Sequence, residues 1–170
     1  AVTSYEKAIA SNPEYTEAHN NLGVTLQNLG LMDEAVTSYE KAIASNPDYP
    51  EAHNNLGNIF KELKQLDAAV KSYKKVIAIN PDFSEAHYNL GNTLRELGQL
   101  KTAIKSYKKL IAINPDFSEA HYNLGNTLRE LGQLKTAIKS YEKAIAINSD
   151  FPEAYFNLGS SFQQLGKLDD

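Results

Sequence analysis

Residues 84–100 read SEAHYNLGNTLRELGQL, and residues 118–134 read the same letters thirty-four positions later. That step organises the whole chain. From Leu22 and Gly23 it lands on Leu56 and Gly57, Leu90 and Gly91, Leu124 and Gly125, and Leu158 and Gly159. Ala35, Ala69, Ala103 and Ala137 keep it, as do Tyr5, Tyr39, Tyr73, Tyr107 and Tyr141. Asn12-Pro13, Asn46-Pro47, Asn80-Pro81 and Asn114-Pro115 punctuate the repeats, and Asn148-Ser149 alone departs. A fixed period of this size belongs to chains whose repeats cannot bury an apolar face singly and must stack on their neighbours. Nothing is left over for a linker or a second domain. The expected organisation is one array over residues 1–170: a second helix at 1–15, complete repeats at 16–49, 50–83, 84–117 and 118–151, and a first helix at 152–170.

Within a repeat the periodicity is helical. His19, Leu22, Gly23 and Leu26 fall at i, i+3, i+4 and i+7, which is one stripe of an α-helix. Gly30 follows, a residue that tolerates positive φ after a helix end. Ala35, Tyr39, Ala42 and Ile43 make a second stripe, and Pro47 stops that helix. Pro50 and Pro152 stand where the next first helix begins, a place where a missing N–H costs little. The apolar run from Val76 to Ile79 has helical flanks, so it reads as helix rather than strand. Gly23 and Ala35 let two backbones approach, with Leu22, Leu26 and Tyr39 filling the space around them. Helices of about 13 residues are marginal alone in water, so stability must come from packing one pair on the next. The fold class expected is all-α, an array of antiparallel helix pairs.

Bulk properties narrow the function. Hydrophobic residues make up 42% of the chain, enough for a packed core. A formal charge of −4 gives no general attraction to nucleic acid or to an anionic membrane surface. No cysteine is present, which excludes disulfides and thiolate metal sites. No apolar run is long enough to span a bilayer as a helix.

The series His19, Leu22, Gly23, Leu26, Ala35, Tyr39, Ala42 and Pro47, recurring every thirty-four residues, resembles the tetratricopeptide repeat and covers the whole chain. The resemblance implies a right-handed superhelical solenoid of antiparallel helix pairs, with the first helix of each pair on the concave face. It also implies a protein-interaction scaffold. Two departures stand out. His19, His53, His87 and His121 hold a place where the family often has tryptophan, and Lys64 replaces the turn glycine of Gly30, Gly98, Gly132 and Gly166. The two ends would also join in register, since Leu168-Asp169-Asp170 followed by Ala1-Val2-Thr3-Ser4-Tyr5 matches Leu31 to Tyr39. That pattern suggests a fragment of a longer array and head-to-tail self-association.

At 100° per residue, the side of each first helix opposite the core stripe carries Glu17, Asn21, Val24 and Asn28 and their equivalents. One column is therefore Asn21, Asn55, Asn89, Asn123 and Asn157, with Asn58, Asn92 and Asn126 one turn on. Beside it lie Tyr88, Tyr122 and Phe156, with Lys61, Arg95 and Arg129. A carboxamide offers two donors and an acceptor, matching the C=O and N–H of a peptide unit. Helix axes about 8–10 Å apart and an extended rise of about 3.3 Å per residue give roughly three peptide residues per carboxamide. The column is similar to the asparagine ladder in the superhelical repeats of the O-linked N-acetylglucosamine transferases, where it holds extended polypeptide. The expected partner is thus a protein segment bound in extended form, with two alternatives: a substrate-presenting arm of a larger enzyme such as a glycosyltransferase, or a self-stacking structural module.

Other chemistries find little support. A Lys/Arg clamp for a C-terminal carboxylate, another mode of the family, would need cations where Asn20, Asn54 and Tyr88 stand. The histidines occur one per repeat and point alike, which suits packing rather than a shared metal. Lys71, Lys74, Lys75, Lys101, Lys105, Lys108, Lys109, Lys135, Lys139 and Lys143 form a basic outer strip without interleaved aromatics for base stacking, so it reads as a solvated face. No nucleophile, base and orienting carboxylate share a unique arrangement, and no phosphate loop exists. No cofactor, nucleic acid or membrane is expected as a partner, and no enzyme activity is expected.

Overall fold

The computed structural model describes residues 1–169, with side chains through Gly166; the last residue expected in the array, Asp170, lies outside that range. The described residues are helical and contain no strand. The elements are α1 (Val2–Ser11), α2 (Thr16–Asn28), α3 (Met32–Ser45), α4 (Pro50–Glu62), α5 (Leu66–Ile79), α6 (Ser84–Glu96), α7 (Leu100–Ile113), α8 (Ser118–Glu130), α9 (Leu134–Ile147) and α10 (Pro152–Asp169). Even-numbered elements are first helices of a pair and odd-numbered ones second helices, as the spacing requires.

Two alternating turns define the repeat. After a first helix the backbone enters the left-handed region at Gly30 (φ 77°), Lys64 (φ 59°), Gly98 (φ 71°) and Gly132 (φ 77°). There the N–H of Gly30 reaches the carbonyl of Gln27 at 2.9 Å and that of Leu31 reaches Leu26 at 3.0 Å, and the same two bonds recur in the other three turns. This is the Schellman pattern, which satisfies carbonyls the helix end would leave open. After a second helix the stop is Asn12, Asn46, Asn80, Asn114 or Asn148, with extended backbone at all but Asn114. A following proline disfavours the helical region at the residue before it, but Asn148 precedes Ser149 and keeps φ −126°. The asparagine itself therefore holds the turn. At Asn12, Asn46, Asn80 and Asn148 the side-chain oxygen accepts the N–H two residues on, at 3.2 Å from Glu14 to Asn12 and 3.0 Å from Asp150 to Asn148.

One expected turn is corrected. The spacing sets Gly166 in the place of Gly30, but α10 runs through it to Asp169. The left-handed turn at the other four places comes with the carbonyl bonds just described and a second helix that follows directly. At Gly166 the regular helix supplies those bonds instead.

The helices gather into two compact units, Ala1–Ala86 and His87–Asp170. In the N-terminal half α2 packs on α3 and α4 on α5, while α1 lies against α2 and α3 against α4. Ala35, Tyr39, Ala42, Ala52, Ile59, Ala69, Tyr73 and Val76 are wholly buried there. In the C-terminal half α8 packs on both α7 and α9, and α9 on α10; Leu94, Ala103, Tyr107, Leu110, Ala120, Ala137, Tyr141 and Ala144 are wholly buried. Each fully buried Leu or Ile stabilises by about 1.5–3 kcal/mol, which is what holds helices too short to persist alone. The tightest approaches lie at the helical glycines. A Cβ at Gly23 would stand 2.6 Å from Cε1 of Tyr39, and one at Gly57 2.6 Å from that of Tyr73. The same holds for Gly91 with Tyr107 at 2.7 Å and Gly125 with Tyr141 at 2.6 Å.

Candidate functional site

In the N-terminal half the expected column begins at Asn21, which is exposed and accepts a long 3.5 Å bond from Nδ2 of Asn20. Asn55 is half-buried and donates through Nδ2 to Oδ1 of Asn20 at 3.0 Å. Asn20 and Asn54 are themselves buried, and Asn54 donates to Oε1 of Glu85 at 2.8 Å. The buried Oδ1 of Asn54 has no partner among the described residues. Asn58 is half-buried; its Oδ1 accepts the hydroxyl of Tyr73 at 2.8 Å. Val24 stands at the corresponding place one repeat earlier, and Tyr39 turns instead to Oε1 of Gln27, at 3.1 Å. Lys61 is half-buried.

In the C-terminal half Asn89, Asn123 and Asn157 are all half-buried. Asn123 donates to the hydroxyl of Tyr88 at 3.3 Å, and Asn157 to that of Tyr122 at 3.0 Å and to Oδ1 of Asn126 at 2.9 Å. Oδ1 of Asn92 accepts from Tyr107 at 2.6 Å and Oδ1 of Asn126 from Tyr141 at 2.8 Å. Tyr88 leans on Phe117, with centroids 5.4 Å apart, and Tyr122 on Phe151 at 4.8 Å. Arg95 and Arg129 are half-buried, and Nε of Arg95 donates to Oε1 of Glu130 at 3.0 Å. The column is thus amide-lined in the first half, by Asn20 and Asn54, and aromatic-lined in the second, by Tyr88 and Tyr122.

A helical wheel sets Asn58, Asn92 and Asn126 opposite the core, and here the structure differs. Asn126 is 7% exposed, and all three spend their acceptor on a buried tyrosine. The fifteen-residue interval from each asparagine to its tyrosine recurs three times, and that interval is the sequence signal for the pairing. Burial raises the pKa of Tyr39 to about 12, with a smaller push from Glu62. Burial likewise lifts Tyr141 to about 12 against the pull of Arg129, and raises Tyr73 and Tyr107 strongly. These phenols stay neutral, as hydrogen-bond donors must.

The histidines close the proline turns. Nε2 of His19 donates to the carbonyl of Pro13 at 2.8 Å, and His53 and His121 do the same to Pro47 and Pro115 at 2.9 Å. Among the described residues no group of three or more His, Cys, Asp or Glu could hold a metal ion, and no helix is long and apolar enough to cross a membrane. The lysines of the outer strip are exposed, and the ion pair that Lys75 makes with Asp48 at 3.2 Å has both side chains in solvent. Such a pair contributes little.

Comparison with known proteins fits this geometry. A family model described as TPR repeat matches residues 1–30, 32–64, 57–94, 91–132 and 125–166, and one described as Tetratricopeptide repeat matches residues 17–46. No curated protein matches the chain. Among solved structures, MamA is 28% identical, with a TM-score of 0.82 over 87% of this chain and 86% of that one. YrrB, titled a TPR protein with an unusual peptide-binding site, is 22% identical, with a TM-score of 0.87 over 98% and 86%. A thermophilic TPR protein of Thermus thermophilus is 24% identical, with a TM-score of 0.70 over 95% and 89%.

Proposed function

The chain belongs to the tetratricopeptide repeat family, and from that premise we propose that it holds extended polypeptide along its first helices, through Asn21 and Asn55 in one half and Asn89, Asn123 and Asn157 in the other. The fold is that of an interaction module, typically without catalysis, and YrrB carries a peptide-binding site on it. One observation carries the finer reading. Asn55, Asn123 and Asn157 are each fixed by Nδ2 to a residue of the preceding repeat, while their Oδ1 atoms accept no bond from the described residues. A carboxamide held in one orientation with an open acceptor is pre-organised for a peptide N–H, so its ordering cost is met before binding. Such contacts read backbone, not side chains. In the second half Tyr88, Tyr122, Arg95 and Arg129 flank the column and would add side-chain preference for aromatic or acidic residues. Asn58, Asn92 and Asn126, and Lys61, support this face from its edge.

The test is selection of binders from a displayed library of random, unstructured peptides, followed by affinity measurement on the wild type and on Asn55→Ala/Asn89→Ala/Asn123→Ala. At least a tenfold loss is expected, with the helical circular dichroism retained. Equal affinity of the two proteins discards the ladder.

A further inference from the structure

In both halves a first helix reaches the first helix of the following repeat through the same two places, thirty-five residues apart. Nε2 of Gln27 donates to Oε1 of Glu62 at 3.1 Å in the N-terminal half, and Nε of Arg95 to Oε1 of Glu130 at 3.0 Å in the C-terminal half. One repeat further on, the same places hold Arg129 and Gln164, a carboxamide where the carboxylate stood. Among the described residues Arg129 makes no ion pair. α8 itself is packed by α7 and α9, with α10 against it. The charge is therefore left open by one difference in sequence, glutamine for glutamate at position 164.

The surroundings of Arg129 suit an anion. The residue is half-buried, and it follows Tyr122 by seven residues and Asn126 by three, on one face of α8. Those two residues anchor Nδ2 of Asn157, at 3.0 and 2.9 Å. The charge of Arg129 also reaches Tyr141, where it opposes the effect of burial on the phenol. Arg129 thus branches from α8 about one turn, roughly 5 Å, beyond the point where Asn157 is held. A side chain of a segment lying on Asn157 can span that offset. A planar guanidinium offers paired N–H donors that match a carboxylate in two parallel bonds. Arg95 carries the same group, already engaged by Glu130.

We propose that Arg129 is a carboxylate subsite, which takes the Asp or Glu side chain of a segment whose backbone N–H groups are held by Asn123 and Asn157. The inference rests on the extended-polypeptide reading above and narrows its acidic preference to one residue. In the C-terminal half acidity is read at one place, not along the whole column. The partner is an extended segment with an acidic residue at one fixed position.

The probe is a peptide selected on the wild type from a displayed library of random, unstructured sequences. It is synthesised with an amidated C-terminus, once as selected and once with its acidic residue changed to the corresponding amide. Affinities of both forms are measured by fluorescence anisotropy on the wild type, Arg129→Gln, Gln164→Glu and Asn123→Ala/Asn157→Ala, with circular dichroism to confirm that each stays helical. Selection is expected to enrich Asp or Glu at a single position. The amide form is expected to bind the wild type about fivefold or more weakly, as for a charge-assisted pair partly screened by solvent. That difference is expected to vanish on Arg129→Gln. Gln164→Glu supplies an internal carboxylate and is expected to weaken the acidic form while leaving the amide form unchanged. A selection without an enriched acidic position overturns the proposal, and so does a difference that persists on Arg129→Gln. Affinity that falls on Asn123→Ala/Asn157→Ala but not on Arg129→Gln discards the subsite and leaves the asparagine reading standing. The converse retains the subsite and discards the ladder, and a library that yields no binder overturns both.

Discussion

Tyr141 lies so close against Gly125 that a Cβ there would stand 2.6 Å from its ring, and the ring is wholly buried. Gly125→Ala is therefore expected to destabilise by about 1–3 kcal/mol, the range for an overpacked core. Gly159→Ala, with open space at the same position of its helix, is expected to stabilise by up to about 1 kcal/mol through helix propensity. Urea titration at low protein concentration measures both. Equal effects would mean that the tyrosine contact does not fix the glycine.

Lys64 carries the left-handed backbone that glycine carries in three sister turns. Lys64→Gly removes a strain of about 1–2 kcal/mol and returns part of it as unfolded-chain entropy. The net gain expected is up to about 1 kcal/mol, or a rise in melting temperature of about 2–4 °C for a chain of this size. An unchanged or lowered melting temperature counts against this account of the turn.

Asn126 accepts from both Tyr141 and Asn157, while Asn92 accepts from Tyr107. Asn126→Ala is expected to cost more than Asn92→Ala by about 1 kcal/mol, the net worth of one further hydrogen bond. Denaturant midpoints decide it, and the reverse order would contradict the bonding scheme.

Alkaline pH should loosen the fold through its buried phenols. Burial raises Tyr39 and Tyr141 to about 12 from an ordinary value of 10.0. The folded chain then holds more protons than the unfolded one above that ordinary value, so stability falls as pH rises. The contribution is complete below pH about 10 and is lost as pH climbs through about 12. Thermal melts from about pH 8 to about pH 12 should show a plateau and then a decline, steeper in the wild type than in Tyr39→Phe/Tyr141→Phe. Parallel curves would remove the tyrosines as the cause.

How far the sequence speaks depends on which neighbours a residue answers to. The period and the helix pairs are legible, because they follow from side-chain spacing within one repeat; that the ring of Tyr39 is what Gly23 makes room for is added by the structure. Gly166 is not: it keeps the spacing of Gly30, yet α10 continues through it. The burial of Asn126 also escapes a helical wheel, which assumes one covered face. A first helix inside an array is flanked by its own partner and by adjacent repeats, so a residue opposite one contact can lie under another. Asn20 and Asn54 hide for the same reason: by spacing they are bare polar positions, yet they are packed and bonded within the wall.

Asn55 with Asn20, Asn123 with Tyr88, and Asn157 with Tyr122 each join residues thirty-five apart, one more than the period. The surplus residue makes every such bond lean the same way, so within each half the stitching has a sense of direction. A strand laid along amides that all tilt alike is distinguishable from the same strand reversed. If polypeptide lies along these amides as proposed, chain polarity, which no side chain encodes, would be something the surface discriminates.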